Sequence, residues 1–170
     1  KLHGARIFQK VPSVTATETL LMAAILAEGT TVLANSAMEP EVISLAHYLR
    51  KCGANISGIG TPTLTVGGRN GKTLLSEGLP YETIPDRIEA GSFVILGALA
   101  AEDLTIDECN TSHLDSLLYH IEKAGVTFDI TPRSVRIYGD AYRALKSFNV
   151  KTHEYPGFPT DLQPLIVLFL

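Results

Sequence analysis

Three stretches of this 170-residue chain set proline, hydroxyl and carboxylate groups where an apolar helix is about to begin. They are Val11-Pro12-Ser13-Val14-Thr15-Ala16-Thr17, Ile84-Pro85-Asp86-Arg87-Ile88-Glu89 and Phe158-Pro159-Thr160-Asp161-Leu162-Gln163. The first turn of a helix exposes unpaired N–H groups and partial positive charge, so phosphates and carboxylates bind there readily. A carboxylate such as Asp161, placed beside a bound hydroxyl, can take its proton. A purely structural role competes at each place. Ser13 fits an N-cap, and Asp86 with Glu89 fits another. Thr160 with Gln163 fits a capping box, in which the helix dipole alone would favour Asp161. Local chemistry by itself favours capping for Asp161 and Ser13.

Other groups carry less chemistry. Gly67-Gly68-Arg69-Asn70-Gly71-Lys72 lacks the Walker spacing and no helix follows it, so it reads as a connector. No GxGxxG string supports a dinucleotide site. The two cysteines, Cys52 and Cys109, lack metal-ligand spacing. Cys52 ends an amphipathic helix and reads as a small buried apolar residue. Cys109 follows Asp107 and Glu108, which would raise its pKa. His113 and His120 stand two turns apart on one helix, and no metal site is expected.

The elements that must position these residues repeat at a spacing of roughly 70–75 residues, longer than solenoid periods. Leu26-Ala27-Glu28-Gly29-Thr30-Thr31-Val32 matches Ala100-Ala101-Glu102-Asp103-Leu104-Thr105-Ile106, and Leu49-Arg50-Lys51-Cys52-Gly53-Ala54 matches Ile121-Glu122-Lys123-Ala124-Gly125-Val126. Each unit is expected to run from an apolar helix (Thr17–Glu28; Asp86–Glu102) to a strand (Thr30–Asn35; Asp103–Asp107). An amphipathic helix follows (Pro40–Cys52; Ser112–Ala124), its apolar residues at helical spacing and closed by Gly53 or Gly125. Two strands come next: Ala54–Ile59 with Thr63–Val66, and Val126–Thr131 with Val135–Tyr138. A further strand (Thr73–Glu77; Ala144–Val150) leads to the next apolar helix, and a third unit starts at Thr160.

Composition excludes several classes. Hydrophobic residues make up 45% and charged residues 19%, which excludes a disordered chain. The net charge is −4, with no cluster of Lys and Arg, so no nucleic-acid partner is expected. No apolar run reaches the roughly 18 residues of a membrane span. The apolar runs Ser92–Ala101 and Leu165–Leu170 are read as buried helix. The chain does not begin with Met, and it stops inside an apolar run. It is therefore expected to be a segment of a longer protein. With two cysteines and no signal or transit peptide, the chain is expected in the reducing cytoplasm.

Five strings carry a resemblance across nearly the whole chain: Pro12-Ser13-Val14-Thr15-Ala16-Thr17-Glu18, Leu26-Ala27-Glu28-Gly29-Thr30-Thr31-Val32, Glu39-Pro40-Glu41, Ile84-Pro85-Asp86-Arg87-Ile88-Glu89-Ala90-Gly91 and Pro156-Gly157-Phe158-Pro159-Thr160-Asp161-Leu162-Gln163-Pro164. In this order they resemble the UDP-N-acetylglucosamine 1-carboxyvinyltransferases, enolpyruvyl transferases of peptidoglycan synthesis and thus of cell-wall growth and division. The resemblance implies an α/β fold built as an inside-out α/β barrel, helices buried and sheets outside, incomplete in this chain. Residues 1–79 would be the last repeat of one barrel domain. Residues 80–170 would be the first repeat and the start of the second repeat of the other.

The implied reaction moves the enolpyruvyl group of phosphoenolpyruvate, a co-substrate, onto the 3′-hydroxyl of UDP-N-acetylglucosamine, with no cofactor. By resemblance Asp161 is the catalytic carboxylate beside that hydroxyl, and Thr160 hydrogen-bonds the sugar. Ser13, Val14 and Thr15 lie along the nucleotide. Thr15 stands where the family usually has Gly, and Val11 where some members have Lys. Arg87 and Glu89 are assigned either to the domain junction or to substrate. The family's reactive loop, its phosphoenolpyruvate-holding Lys-Asn pair and its later arginines match nothing here, so the segment alone is expected to be inactive without the remainder of its chain. Two alternatives stay open: a 3-phosphoshikimate 1-carboxyvinyltransferase-like enzyme, and a non-catalytic relative that binds a nucleotide sugar.

Overall fold

The structure is a computed structural model that describes residues 1–75, 78–138 and 145–169. The chain divides into two compact units, Lys1–Ile84 and Pro85–Leu170. Each is a layer of helix on one sheet.

The first unit runs β1 (Arg6–Phe8), α1 (Val14–Leu26), β2 (Thr30–Ala34), α2 (Pro40–Lys51), β3 (Asn55–Ser57) and β4 (Thr63–Gly67). Its sheet has the order β1-β2-β4-β3. β1 pairs parallel with β2, Ile7 opposite Leu33, and the other pairs are antiparallel. A parallel pair needs a crossover, and α1 supplies it. Sequence patterning did not anticipate β1, because three residues with one half-buried side chain carry almost no alternation. Period-two burial is clear in β4, where Leu64 and Val66 point into a core with Leu21, Ala24, Ile25 and Leu33.

The ends of the helices explain the glycines. α2 closes on Gly53 at φ 97°, with Gly53 N–H donating to Arg50 O and Ala54 N–H to Leu49 O. The helix Asp115–Lys123 of the second unit closes the same way on Gly125 at φ 98°, a conformation open to glycine at little cost. α1 ends differently. Its last carbonyls, Ile25, Leu26 and Ala27, accept the N–H groups of Arg69, Gly71 and Asn70. The glycine-rich stretch is thus the connector expected, and its donors are already spent on the helix end.

The second unit runs α3 (Arg87–Ala100), β5 (Asp103–Asp107), a 3-10 turn (Thr111–His113), α4 (Asp115–Lys123), β6 (Thr127–Thr131) and β7 (Ser134–Tyr138). A 3-10 turn (Thr160–Leu162), α5 (Gln163–Ile166) and a last 3-10 turn (Val167–Phe169) follow. The sheet order is β5-β7-β6, all antiparallel. Val94, Ile95, Leu117, Ile121, Val135 and Ile137 lie at its core.

Two expectations are corrected. Residues 73–75 and 145–150 form no strand; residues 76–77 and 144 lie outside the described residues. The second stretch instead donates Lys146 N–H to Ala124 O and packs Leu145, Phe148 and Val150 on the core. The apolar runs are also not buried all round. Phe93 and Leu96 of α3 are about half exposed, as are Val167 and Leu168 near the last helix. A helix apolar on every face buries within one layer only the face that meets the sheet.

Candidate functional site

The first unit presents one helix N-terminus that bears predicted site residues and the second presents two, and the units are described separately. In the first, Ser13 takes extended backbone angles and its Oγ accepts from Ala16 N–H at 3.3 Å, so the N-cap is made. Val14 and Thr15 follow in the first turn, where N–H groups lack an intrahelical acceptor. The Thr15 side chain is exposed and lies 3.5 Å from Ser13 Oγ.

Behind this turn stands a buried polar cluster that patterning missed. Thr17 is fully buried; its Oγ1 accepts from Ala37 N–H at 3.0 Å and from Gln9 Nε2 at 3.0 Å. Asn35 Nδ2 donates to Gln9 O at 2.9 Å. These bonds tie the segment before α1 to the loop before α2, and so set the entry to the Ser13 turn. The available signal was a hydroxyl at the innermost position of an apolar helix. Glu39, at the N-cap of α2, is 9% exposed, and among the described residues its Oε2 has no hydrogen-bond partner. On the same side of the unit, burial and then the Glu41 carboxylate push the Glu18 carboxyl above its ordinary range.

In the second unit Asp86 caps α3 as expected, its Oδ1 accepting from Ile88 N–H at 2.7 Å and Glu89 N–H at 3.1 Å. Arg87 and Glu89, neighbours in sequence, line different cavities. The Arg87 guanidinium lies over the Tyr155 ring, 5.8 Å from its centroid. It borders a cavity of about 40 Å³ shared with His113, Ser116, Tyr155 and Leu162. That volume holds a few waters and no sugar. Glu89 faces an open hollow beside Asp86, Asp107 and Phe93. Cys109 also borders this hollow but is buried, and burial more than Asp107 pushes its thiol up, which makes it a poor nucleophile.

The Thr160–Gln163 capping box does not form. Pro159 holds the cap position, Thr160–Leu162 is a 3-10 turn, and no side chain caps it or α5. The physical reason lies in the next residue: Pro164 has no N–H to offer in the first turn, so the chain starts with i+3 bonding, Gln163 N–H to Thr160 O. Thr160 and Asp161 are exposed, and among the described residues their side chains make no hydrogen bond or ion pair. The residues on either side are buried instead. Phe158, 2% exposed, meets the His120 ring edge-on at 5.6 Å, and Leu162, 1% exposed, sits in the core. His120 is itself oriented by donating from Nδ1 to Ser116 O at 2.7 Å. Asp161 is therefore a free carboxylate on a turn fastened from both sides.

Comparison with known proteins agrees with this frame. The family model for EPSP synthase (3-phosphoshikimate 1-carboxyvinyltransferase) matches residues 1–168. A UDP-N-acetylglucosamine 1-carboxyvinyltransferase from Koribacter versatilis is 49% identical over 164 residues, 96% of this chain and 36% of that protein. One from Desulfosudis oleivorans is 43% identical over 170 residues, 100% of this chain and 39% of that protein. The chain thus spans a little over a third of the curated relatives it matches. Among solved structures, the enolpyruvyl transferase NikO from Streptomyces tendae aligns with a TM-score of 0.78 at 23% identity, covering 98% of this chain and 41% of NikO. EPSP synthase from Acinetobacter baumannii aligns with 0.53 at 19% identity, over 99% of this chain and 37% of that one. With its mixed α/β repeats in the fold of the enolpyruvyl transferases and a family match over nearly its entire length, the chain belongs to the EPSP synthase family.

Proposed function

We propose that this chain is part of an enzyme that transfers the enolpyruvyl group of phosphoenolpyruvate to the 3′-hydroxyl of UDP-N-acetylglucosamine. The observation that carries this reading is the exposed Asp161 carboxylate, unspent on capping and held by buried Phe158 and Leu162. The names and identities of the relatives support the choice of acceptor. In the reaction, the sugar oxygen bonds to C2 of phosphoenolpyruvate as its own proton leaves and a proton adds to C3. The tetrahedral intermediate then loses phosphate and a C3 proton. Asp161 takes or relays the sugar proton, and Thr160 hydrogen-bonds the sugar. Ser13 and Val14 hold the nucleotide with a hydroxyl and a first-turn N–H, while the Thr15 side chain narrows the approach to that backbone.

Arg87 is better placed to brace the Tyr155 loop than to meet a sugar, given its stacking and the small cavity beside it. Glu89 remains a candidate for the domain junction or a substrate contact. The reading needs no cofactor and no metal. It places the reaction in peptidoglycan synthesis, and so in cell shape and division, in the cytoplasm. Residues 1–79 and 80–170 belong to the two barrel domains, completed by the remainder of the chain.

The test is Asp161→Asn in the complete enzyme. It is expected to lower kcat by about 10²–10⁴-fold while UDP-N-acetylglucosamine still binds. Parental turnover in that variant refutes the role of Asp161. Turnover with shikimate 3-phosphate in place of the nucleotide sugar refutes the choice of acceptor.

A further inference from the structure

Gly91, on the second turn of α3, faces Leu162 across the core of the second unit. A β-carbon at position 91 would stand 2.7 Å from Leu162 Cδ1 and 3.2 Å from Leu117 Cδ2. The backbone of Gly91 is ordinary helix, so close approach and not dihedral freedom is what glycine supplies here. Leu162 is the residue after Asp161, and its burial is what fastens the downstream side of the turn. Upstream, the turn is held at Phe158, whose carbonyl accepts from His153 N–H at 3.0 Å. Asp161 makes no bond of its own within the described residues, so its position follows Leu162.

We infer that Gly91 is a positioning residue: by withholding a β-carbon it seats Leu162 against α3 and α4 and thereby fixes where the Asp161 carboxylate stands. This rests on the reading of Asp161 given above. The nearest atoms an alanine at 91 would meet are the far methyls of two leucines, and the cavity of about 40 Å³ bordered by Leu117 and Leu162 gives the displaced side chain somewhere to go. The fold therefore tolerates the change, while the turn that carries Asp161 moves with Leu162. A merely structural glycine would show the reverse, lost stability and unchanged chemistry per folded molecule.

The experiment compares Gly91→Ala, Asp161→Asn, the pair together, and Gly91→Ala with Leu162→Val, all in the complete enzyme. Displacement of a reacting group by a fraction of an ångström predicts a kcat loss of roughly tenfold for Gly91→Ala, with KM for UDP-N-acetylglucosamine within about twofold. The loss is expected to vanish in the Asp161→Asn background, because both changes act through one group. Leu162→Val removes the δ-methyls that clash and is expected to restore most of the lost turnover. Parental kcat in Gly91→Ala, or a loss that adds in full to that of Asp161→Asn, overturns the inference. A loss that tracks the folded fraction and is not rescued by Leu162→Val also overturns it. If Asp161→Asn itself keeps parental turnover, the reading of Asp161 fails and the inference with it; an inactive Asp161→Asn beside a normal Gly91→Ala sinks the inference alone.

Discussion

Asp161 and Asp103 are both exposed aspartates, yet they are held in opposite ways. Asp103 opens β5, and Arg136 of β7 reaches it with two bonds, Nε to Oδ1 at 3.1 Å and Nη2 to Oδ2 at 2.6 Å. The guanidinium hydrogen bonds, more than the bare charge, hold the Asp103 carboxyl below its ordinary range. A depressed carboxyl pKa means that the folded state favours the ionised form. Its stabilisation is present above the unfolded-state pKa and is lost as pH falls through the folded one. Asp103→Asn is therefore expected to lower the urea midpoint at about pH 7, by an amount that shrinks as pH falls through the folded carboxyl's titration. A difference that persists undiminished at low pH would contradict the assignment. Among the described residues Asp161 has no such partner, so its carboxylate is available to a ligand. That distinction was invisible in the sequence, where Thr160-Asp161-Leu162-Gln163 is as good a capping box as Asp86-Arg87-Ile88-Glu89 is a cap. Only the second uses its acid on the helix, because Pro164 changes how the other helix starts.

At the scale of elements, α1 and α3 are the two apolar helices that lead from a proline loop into a strand. Each begins with a side-chain cap, Ser13 or Asp86, as read from residue type. The entry to α1 needs more than its cap. Thr17 Oγ1, fully buried, accepts both the Ala37 N–H and the Gln9 amide. Thr17→Val keeps the shape but removes the acceptor of the Ala37 N–H and the nearer of the two acceptors of the Gln9 amide, so it is expected to cost about 1–3 kcal/mol in chemical denaturation. Thr17→Ser, which retains the acceptor, is expected to cost clearly less. Equal costs would mean that the methyl matters and the hydroxyl does not. Strand content was legible where burial alternates, as in β4 and β7. It was not legible in β1, which is too short, or at 145–150, where apolar residues pack on the core without a ladder.

At the scale of the molecule, each unit is one layer of helices on one sheet, with apolar side chains such as Met22, Leu26, Phe93 and Leu96 left partly open to water. Among the described residues no helix is long and apolar enough to cross a membrane. On the proposed function, the 170-residue chain expressed by itself is expected to give no phosphate release from phosphoenolpyruvate and UDP-N-acetylglucosamine. This rests on the chain spanning only 36–39% of the relatives it matches. Turnover by the isolated chain would overturn that expectation. The repeat, the four long helices, the hairpins β3–β4 and β6–β7 and the family were determined by sequence alone, because periodicity, turn chemistry and motif order are local properties. Which caps are used, which carboxylate is left free and which side chains hold its turn were decided by the tertiary structure. Those outcomes depend on which distant groups, Gly91 with Leu162 and Phe158 with His120, come within contact once the core closes.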